Sequence, residues 1–414
     1  MHVLILGHGR HMPATLRALD PSTTVSVLCE IAAVPRVRDL AQVSRLVGVT
    51  AGAPVDEWVE LARGVHNAAP VDVVAAFGEW LQDVAAAVGE ALGARSHAPS
   101  TVRDVHDKTR TRAVLAAAGL DDVRRGAVTR VDQAQDVVAS VGTPCIVKPG
   151  DGVGSRGVTL VERPADAARA FLAATGGRPD AVDAPVVVEE YLVGPQFSVD
   201  MVGHGGEHRV LGVVRKYSDP ASFVELGHVA PAPVAPDDRD ALARAAVAAV
   251  TALGVTEGAT HTELVLTARG ARIIETHLRL GGDDIPRLVE DTTGVVPERE
   301  AARSVLRLGP ESAPVTDPRG AASAIWFVPA RVAGRLVELR GLDAARAADG
   351  VVAVDVLRAT GADVRPLAES SDRVASVRAV GPDPRTALER ARVAAALVRV
   401  VVEQDAPAAL DALV

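Results

Sequence analysis

The segment KPGDGVGSRGV, Lys148 to Val158, sets one lysine ahead of Gly152, Gly154 and Gly157 in the spacing G-x-G-x-x-G. That spelling fits a dinucleotide-binding turn, a hairpin folded over phosphates, or a glycine-rich surface loop. A dinucleotide turn runs strand, glycines, helix, with an acid about 20 residues on for the ribose. Here the β-branched run VTLVERP follows, which predicts a strand, and no suitable acid stands at that distance. A P-loop fails on order, because its lysine ends the glycines and Lys148 precedes them. Strand, lysine, glycine loop, strand fits a cover whose backbone N–H groups fold over ATP phosphates while Lys148 supplies a point charge. A purely steric glycine hairpin has the same letters, so neighbouring groups must decide.

Three further groups carry chemistry. In VVVEEYLVGPQFSVD (186–200) an apolar strand ends in two acids and bends at Gly194–Pro195. Such a strand end can read adenine through backbone groups and one carboxylate, or be a solvated acidic pair. Glu263 in HTEL and Glu275 in IIETHLR fall on the two strands of one expected hairpin. Two carboxylates facing each other repel unless a cation lies between them, and Mg²⁺ on ATP phosphates is the usual one. His277, two residues on, shares a strand face with Glu275, as a further ligand or a satisfied interior histidine. Arg279, before Gly281 and Gly282, can meet negative charge that builds during transfer, or form a plain salt bridge.

Placing these groups requires a definite run of elements. HVLILG (2–7), TVSVLCE (24–30) and VDVVAAFGE (71–79) predict parallel strands, with a helix in HMPATLRALD, giving an α/β domain over 1–98. GHGRHM supplies only G-x-G there and reads as a structural turn. STVRDVHDKTRTRAVLAAAGL (100–120) predicts a helical stretch closed by Gly119. VRRGAV, TPCIVKP, RGVTLVERP and PVVVEEYL predict an antiparallel unit with helices around 132–141 and 165–174. QFSVDMVGHGGEHRVLGVVRKYS predicts a meander turning at GHGGEH, and DDRDALARAAVAAVTALG (237–254) a helix with Asp237 or Asp238 at its start. GATHTELVLTARGARIIETHLRLGGDDIP predicts the hairpin, turning at ARGAR. The second domain is thus 99–310, with a glycine-loop subdomain at about 120–192. The third is 311–414, with strands in SAIWFVPA, GRLVELRG, VVAVDVLRA and SVRAVG and one closing helix in PRTALERARVAAALVRVVVEQ.

Composition narrows the function. The 414 residues are 48% hydrophobic but only 2% aromatic, so Val, Leu, Ala and Ile must build the cores. A net charge of −9 argues against nucleic acid as a partner. Cys29 and Cys145 are too few for a disulfide framework, and Cys145 reads as a buried, inert thiol. The N-terminal apolar stretch suits a first buried strand better than an export signal. No run approaches the ~18 apolar residues of a membrane span. The expectation is a soluble, cytoplasmic protein with no membrane partner.

In order, HDK (106–108), IVKPGDGVGSRGV (146–158), VVVEEYLVGPQFSVD, GATHTEL (258–264) and IIETHLRLGGDDIP (273–286) resemble the ATP-grasp superfamily of carboxylate–amine ligases. Within it, they resemble the L-amino-acid ligases that form dipeptides. The resemblance spans about 1–310 and, more loosely, the remainder. It implies an α/β and α+β multidomain ATP-grasp architecture with an N-terminal Rossmann-like domain and a C-terminal α+β domain. It further implies that Lys108 and Lys148 bind ATP phosphates under a mobile cover, Asp151 to Gly157, that includes Ser155. Glu189 and Glu190 fall at the adenine position, Glu189 as its reader, with Tyr191 and Leu192 at the backbone hinge. Glu263 and Glu275 occupy the Mg²⁺ positions, with Mn²⁺ as an alternative ion. Arg279, beside Gly281 and Gly282, would steady an acyl phosphate and tetrahedral intermediate, and Glu225 and His228 of FVELGH would hold the first amino acid. Two positions depart. Gln196 stands where an acid for the ribose is common, and it can still hydrogen-bond a ribose. His277 replaces a usual asparagine and coordinates Mg²⁺ less readily than an oxygen ligand does.

The implied reaction is attack of a carboxylate on the γ-phosphate, then of an amine on the acyl phosphate, releasing ADP and phosphate. Rival expectations are a ligase or carboxylase of nucleotide biosynthesis and a nucleotide-binding protein without catalysis. The C-terminal piece either covers the amino-acid pocket or supports a homodimer.

Overall fold

The computed structural model describes residues 1–152, 154–181 and 184–404, so Val153 of the glycine segment and the end of the 311–414 piece lie outside the described residues. Two units are built from alternating stretches of chain. The first comprises Met1–Asp122, Ser198–Val213 and Pro236–Asp317; the second comprises Val123–Phe197, Val214–Ala235 and the chain from Pro318 onward.

In the first unit, β1 (His2–Leu6), β2 (Thr24–Glu30), β3 (Arg45–Val49) and β4 (Val73–Ala76) form a parallel sheet in the order β3-β2-β1-β4. β1 is buried at every residue because both of its faces are covered, as parallel sheets require. Val3, Ile5, Val25 and Val27 pack with Leu16 and with Ala301, Ala302 and Val305 of the helix Pro297–Leu306. On the other face, Leu4, Leu6 and Leu28 meet Trp58, Ala62, Ala85 and Val88.

In the second unit, β5 (Arg125–Val128), β6 (Cys145–Pro149), β7 (Thr159–Val161) and β8 (Val186–Glu190) form the expected antiparallel sheet, in the order β5-β8-β6-β7. The glycine segment joins β6 to β7, so a strand stands on each side of it. Cys29 and Cys145 are both buried free thiols.

β9 (Gln196–His204) and β10 (Glu207–Ser218) each cross a unit boundary along their length. β11 (Glu225–Ala230) belongs to the second unit, and β12 (Gly258–Thr267) and β13 (Gly270–His277) to the first. The first unit carries the strand order β13-β12-β9-β10. The second continues β10-β11-β14-β18-β16, with β14 (Ala322–Pro329), β15 (Gly334–Arg340), β16 (Val351–Val356), β17 (Asp363–Val364), β18 (Arg373–Gly381) and β19 (Arg399–Glu403). β17, β15 and β19 make a separate small sheet in the order β17-β15-β19.

Three sequence expectations change. The helical stretch expected over 100–120 is two helices, Pro99–His106 and Lys108–Ala117. Asp107 divides them, its carboxylate accepting from Thr109 N at 2.8 Å and Arg110 N at 3.2 Å as an N-cap. The helix at 237–254 begins at Pro236, which puts Asp237 and Asp238 in its first turn, where carboxylates favour the helix dipole. The closing helix ends at Leu397, and RVVVE becomes β19 because a β-branched run fits a pleated strand better than a helix. Among the described residues, no helix is long and apolar enough to cross a membrane.

Candidate active site

The hairpin β12–β13 sets the first cluster, which lies wholly in the first unit. Its register pairs Glu263 with Glu275 and His261 with His277, followed by an irregularity between Glu263 and Leu264. Like charges directly across a sheet destabilise it unless compensated. Compensation comes from three basic groups. Lys108 Nζ lies 3.4 Å from Glu275, His277 Nε2 lies 3.3 Å from the same carboxylate, and His261 Nε2 lies 3.4 Å from Glu263. Lys108 is held there by its helix: one turn on, the buried Arg112 donates to Ile273 O of β13 at 2.7 Å. Glu263, Glu275 and His277 each offer one ligand atom, all within 4.8 Å of one another. The donor set, two carboxylates and an imidazole, fits a small divalent cation.

Glu79 is the hub that sequence reasoning missed. It opens a short turn after β4, and its carboxylate accepts from Arg279 Nε at 2.6 Å and faces His277 Nδ1 at 3.0 Å. His106 Nε2 stands 3.6 Å away, and its Nδ1 meets Asp83 at 2.6 Å. Gln82 fixes the approach, donating at 2.8 Å to both Ala76 O and Leu278 O. Burial opposes charge on Glu79, yet His277, Arg279 and His106 hold it down to about 2. Burial likewise opposes charge on His277, but Glu275 and Glu79 lift it to about 9. Without a metal, His277 is therefore an imidazolium bridging two carboxylates at neutral pH. The missed signal was positional: Glu79 follows the carboxyl end of a parallel strand, where α/β sheets place ligands.

Asp200 and His261 were missed as well. His261 is fully buried, with Nδ1 3.1 Å from Asp200 Oδ1. Burial disfavours its charge, and Asp200 and Glu263 outweigh that, raising its pKa. The readable signals were an aspartate inside an apolar strand and a histidine two residues before Glu263, on the same face. Gly281 N donates to Asp200 Oδ1 at 3.0 Å. Gly282 has no atom within 4 Å of the Cβ it lacks.

The second unit holds the other cluster. Lys148 of β6 and Glu189 of β8 share a face and form a buried ion pair of 2.7 Å. Glu190 points to the opposite face and pairs with Arg124 at 2.9 Å. Tyr191 N donates to Pro144 O at 3.1 Å, and the Tyr191 ring meets Phe223 edge-on at 6.5 Å. Leu192 follows in an irregular stretch before Gly194 and Pro195, at the expected bend. Gln196 O accepts from Arg215 at 2.7 Å, and its side-chain oxygen lies 3.4 Å from the Ser218 hydroxyl.

Within the glycine segment Ser155 adopts φ 61°, and its hydroxyl donates to Phe223 O at 3.0 Å. Gly154 O accepts from Ser370 N at 3.4 Å, and Gly157 sits at φ +73° against Ala173 O. Gly152 flanks Asp151 and packs on Pro149. Arg156 is largely exposed, 4.0 Å from Glu369. Glu225 forms an ion pair with buried Lys216 at 3.1 Å, and Ser370 lies 3.5 Å from it. His228 is buried with its ring against Phe327. Lys216 pairs in register with His228 and escaped sequence reasoning because no spacing rule links it to Glu225.

The chain was compared with known proteins. Residues 141–287 match the model of the ATP-grasp domain, and residues 326–403 match the L-amino acid ligase C-terminal domain 2. An uncharacterised protein of Sinorhizobium fredii is 28% identical over 291 residues, covering 70% of this chain and 59% of that protein. The alanine–anticapsin ligase of Bacillus subtilis is 27% identical over 262 residues, covering 58% and 55%. The chain thus spans less than two thirds of the length of these relatives. The crystal structure of an L-amino acid ligase from Bacillus licheniformis shares the fold, with a TM-score of 0.80 at 21% identity over 97% of this chain and 99% of that one. Matched segments and fold agree: residues 141–287 are an ATP-grasp domain, residues 326–403 behind it match the C-terminal domain 2 of the L-amino acid ligases, and the chain shares the fold of a solved L-amino acid ligase.

Proposed function

We propose that the chain is a cytoplasmic ATP-dependent carboxylate–amine ligase that joins an amino acid, or another small carboxylate, to an amine through an acyl phosphate. The observation that carries this reading is the facing pair Glu263 and Glu275, with Lys108 and His277 on Glu275 and Arg279 joined to His277 through Glu79. A carboxylate is a poor electrophile and must be activated, and activation brings several negative oxygens together. Mg²⁺ or Mn²⁺, held by Glu263 and Glu275 with His277 deprotonated, would supply charge neutralisation there. Lys108 and Lys148 would anchor phosphate oxygens, and Arg279 would stabilise charge on the acyl phosphate and tetrahedral carbon. For that, Arg279 shares its guanidinium between Glu79 and the reacting group. Glu189, paired with Lys148, would read the adenine amine, with Tyr191 and Leu192 lending backbone groups and Gln196 the ribose contact. The glycine segment would exclude water, which otherwise hydrolyses the acyl phosphate. Glu225 suits the ammonium of the first amino acid, and His228 lines the same site. The relatives' printed activity, ligation of alanine to anticapsin, supports an amino-acid substrate.

The test is coupled ADP release across a grid of amino-acid pairs, with a bicarbonate arm and Glu275→Ala as control. Release is expected for a subset of pairs, falling at least ~100-fold in the control. Absence of release for every pair, or release unchanged in Glu275→Ala, would sink the ligase reading. Turnover with bicarbonate alone would move it to the carboxylases.

A further inference from the structure

Behind Glu263 lies a pair of buried groups that makes none of the contacts assigned above to nucleotide or substrate. Asp200 sits in β9 and His261 in β12, and the two are 1% and 3% exposed. A buried carboxylate and imidazole are costly to desolvate, so their retention inside an apolar strand pair needs a reason. Asp200 Oδ1 takes two contacts at once: His261 Nδ1 at 3.1 Å and the Gly281 backbone N–H at 3.0 Å. The opposite ring nitrogen, Nε2, points to Glu263 at 3.4 Å. Gly281 fits this arrangement only as glycine. A Cβ there would come 2.7 Å from Asp200 Oδ1 and 2.9 Å from His261 Nδ1, inside any normal contact.

We propose that Asp200 and His261 form a positioning relay: Asp200 fixes the imidazole plane, His261 orients the Glu263 carboxylate toward the cation, and the same Asp200 oxygen pins the backbone two residues beyond Arg279. The proposal rests on the metal reading given under Proposed function. Neither residue touches substrate. Their effect runs through the ligand at one end and the Arg279 segment at the other, so one oxygen atom couples cation affinity to placement of the guanidinium. Partners behind a metal ligand act in this way by fixing ring and carboxylate orientation.

The experiment titrates Mn²⁺ into the full chain with a non-hydrolysable ATP analogue, reading free Mn²⁺ by electron paramagnetic resonance. His261→Asn keeps an amide near the Nδ1 position but withdraws the donor from Glu263, and should weaken Mn²⁺ binding roughly 10–100-fold. His261→Gln keeps a donor near Nε2 and should bind within about threefold of wild type by the same reasoning. Gly281→Ala alters no ligand and no ionisable group, yet presses on both members of the relay. It should weaken Mn²⁺ binding by at least ~10-fold. Circular dichroism identifies which variants fold, and Gly281→Ala carries the test if His261→Asn does not. Wild-type affinity in the folded members of His261→Asn and Gly281→Ala overturns the relay while leaving the metal reading intact. A wild-type protein that binds no Mn²⁺ overturns the metal reading, and the relay falls with it.

Discussion

Glu79 meets three basic side chains, His277, Arg279 and His106, and the pH dependence of the cluster follows from it. Its carboxylate is held down to about 2 against an ordinary 4.5, so its contribution is complete above 4.5 and lost as pH falls toward 2. His277 is lifted to about 9 against an ordinary 6.5, so its contribution is complete below 6.5 and lost as pH rises toward 9. In metal-free protein, the cluster should therefore stabilise most between pH 4.5 and 6.5. Glu79→Gln should cost on the order of 2 kcal/mol at pH 5.5, and less at pH 8.5 where His277 is already losing its proton. Urea midpoints at the two pH values, with chelator present, measure this, and equal losses at both would contradict the coupling. At this scale the sequence was readable only in part. Glu263 and Glu275 announced themselves by falling on the two strands of one hairpin, with Arg279 just beyond, whereas Glu79 lies 198 positions from His277 and no local pattern joins them.

Among the elements, strands bounded by glycine turns were legible and boundaries set by single side chains were not. The glycine segment, the meander and the β12–β13 hairpin follow from alternation and turn residues. The break at Asp107 depends on one N-cap, invisible to apolar periodicity, and β19 was absorbed into the preceding helix although its valines argue for a strand. The glycine segment itself yields a test. Gly157 sits at φ +73°, and a Cβ would lie 3.1 Å from Ala173 O. Gly157→Ala should cost about 1–2 kcal/mol from the left-handed conformation alone. Under the proposed role of the segment as a cover over ATP, the variant should also raise the KM for ATP severalfold, because its backbone would be strained where the segment rests on Ala173. Thermal unfolding and steady-state kinetics check both, and an unchanged KM would relieve the segment of its assigned role.

For the whole molecule, alternation of the chain between two units is what composition and periodicity could not reveal. A reading in consecutive blocks divides 1–98, 99–310 and 311–414, while each unit gathers three separated stretches. A chain ending at Asp317 therefore should not behave as a trimmed enzyme. It would lose β14, leaving β11 with an open edge, and lose Ala387 and Ala391, which pack on Val229. Size-exclusion chromatography and circular dichroism of residues 1–317 should show aggregated or poorly ordered protein. A monodisperse, cooperatively unfolding fragment would contradict this.

The same interlacing sets a timetable for synthesis. The four-stranded parallel sheet is complete once the ribosome passes residue 122, but the helix Pro297–Leu306 that covers Val3, Ile5, Val25 and Val27 emerges much later. At about 5–20 residues per second, that apolar face waits on the order of 10–40 s for its cover. During those seconds the nascent chain shows a sticky valine and isoleucine surface, the kind of surface that chaperones bind. Production yield in a heterologous host should thus depend on chaperone supply and translation speed more than on the stability of the finished protein.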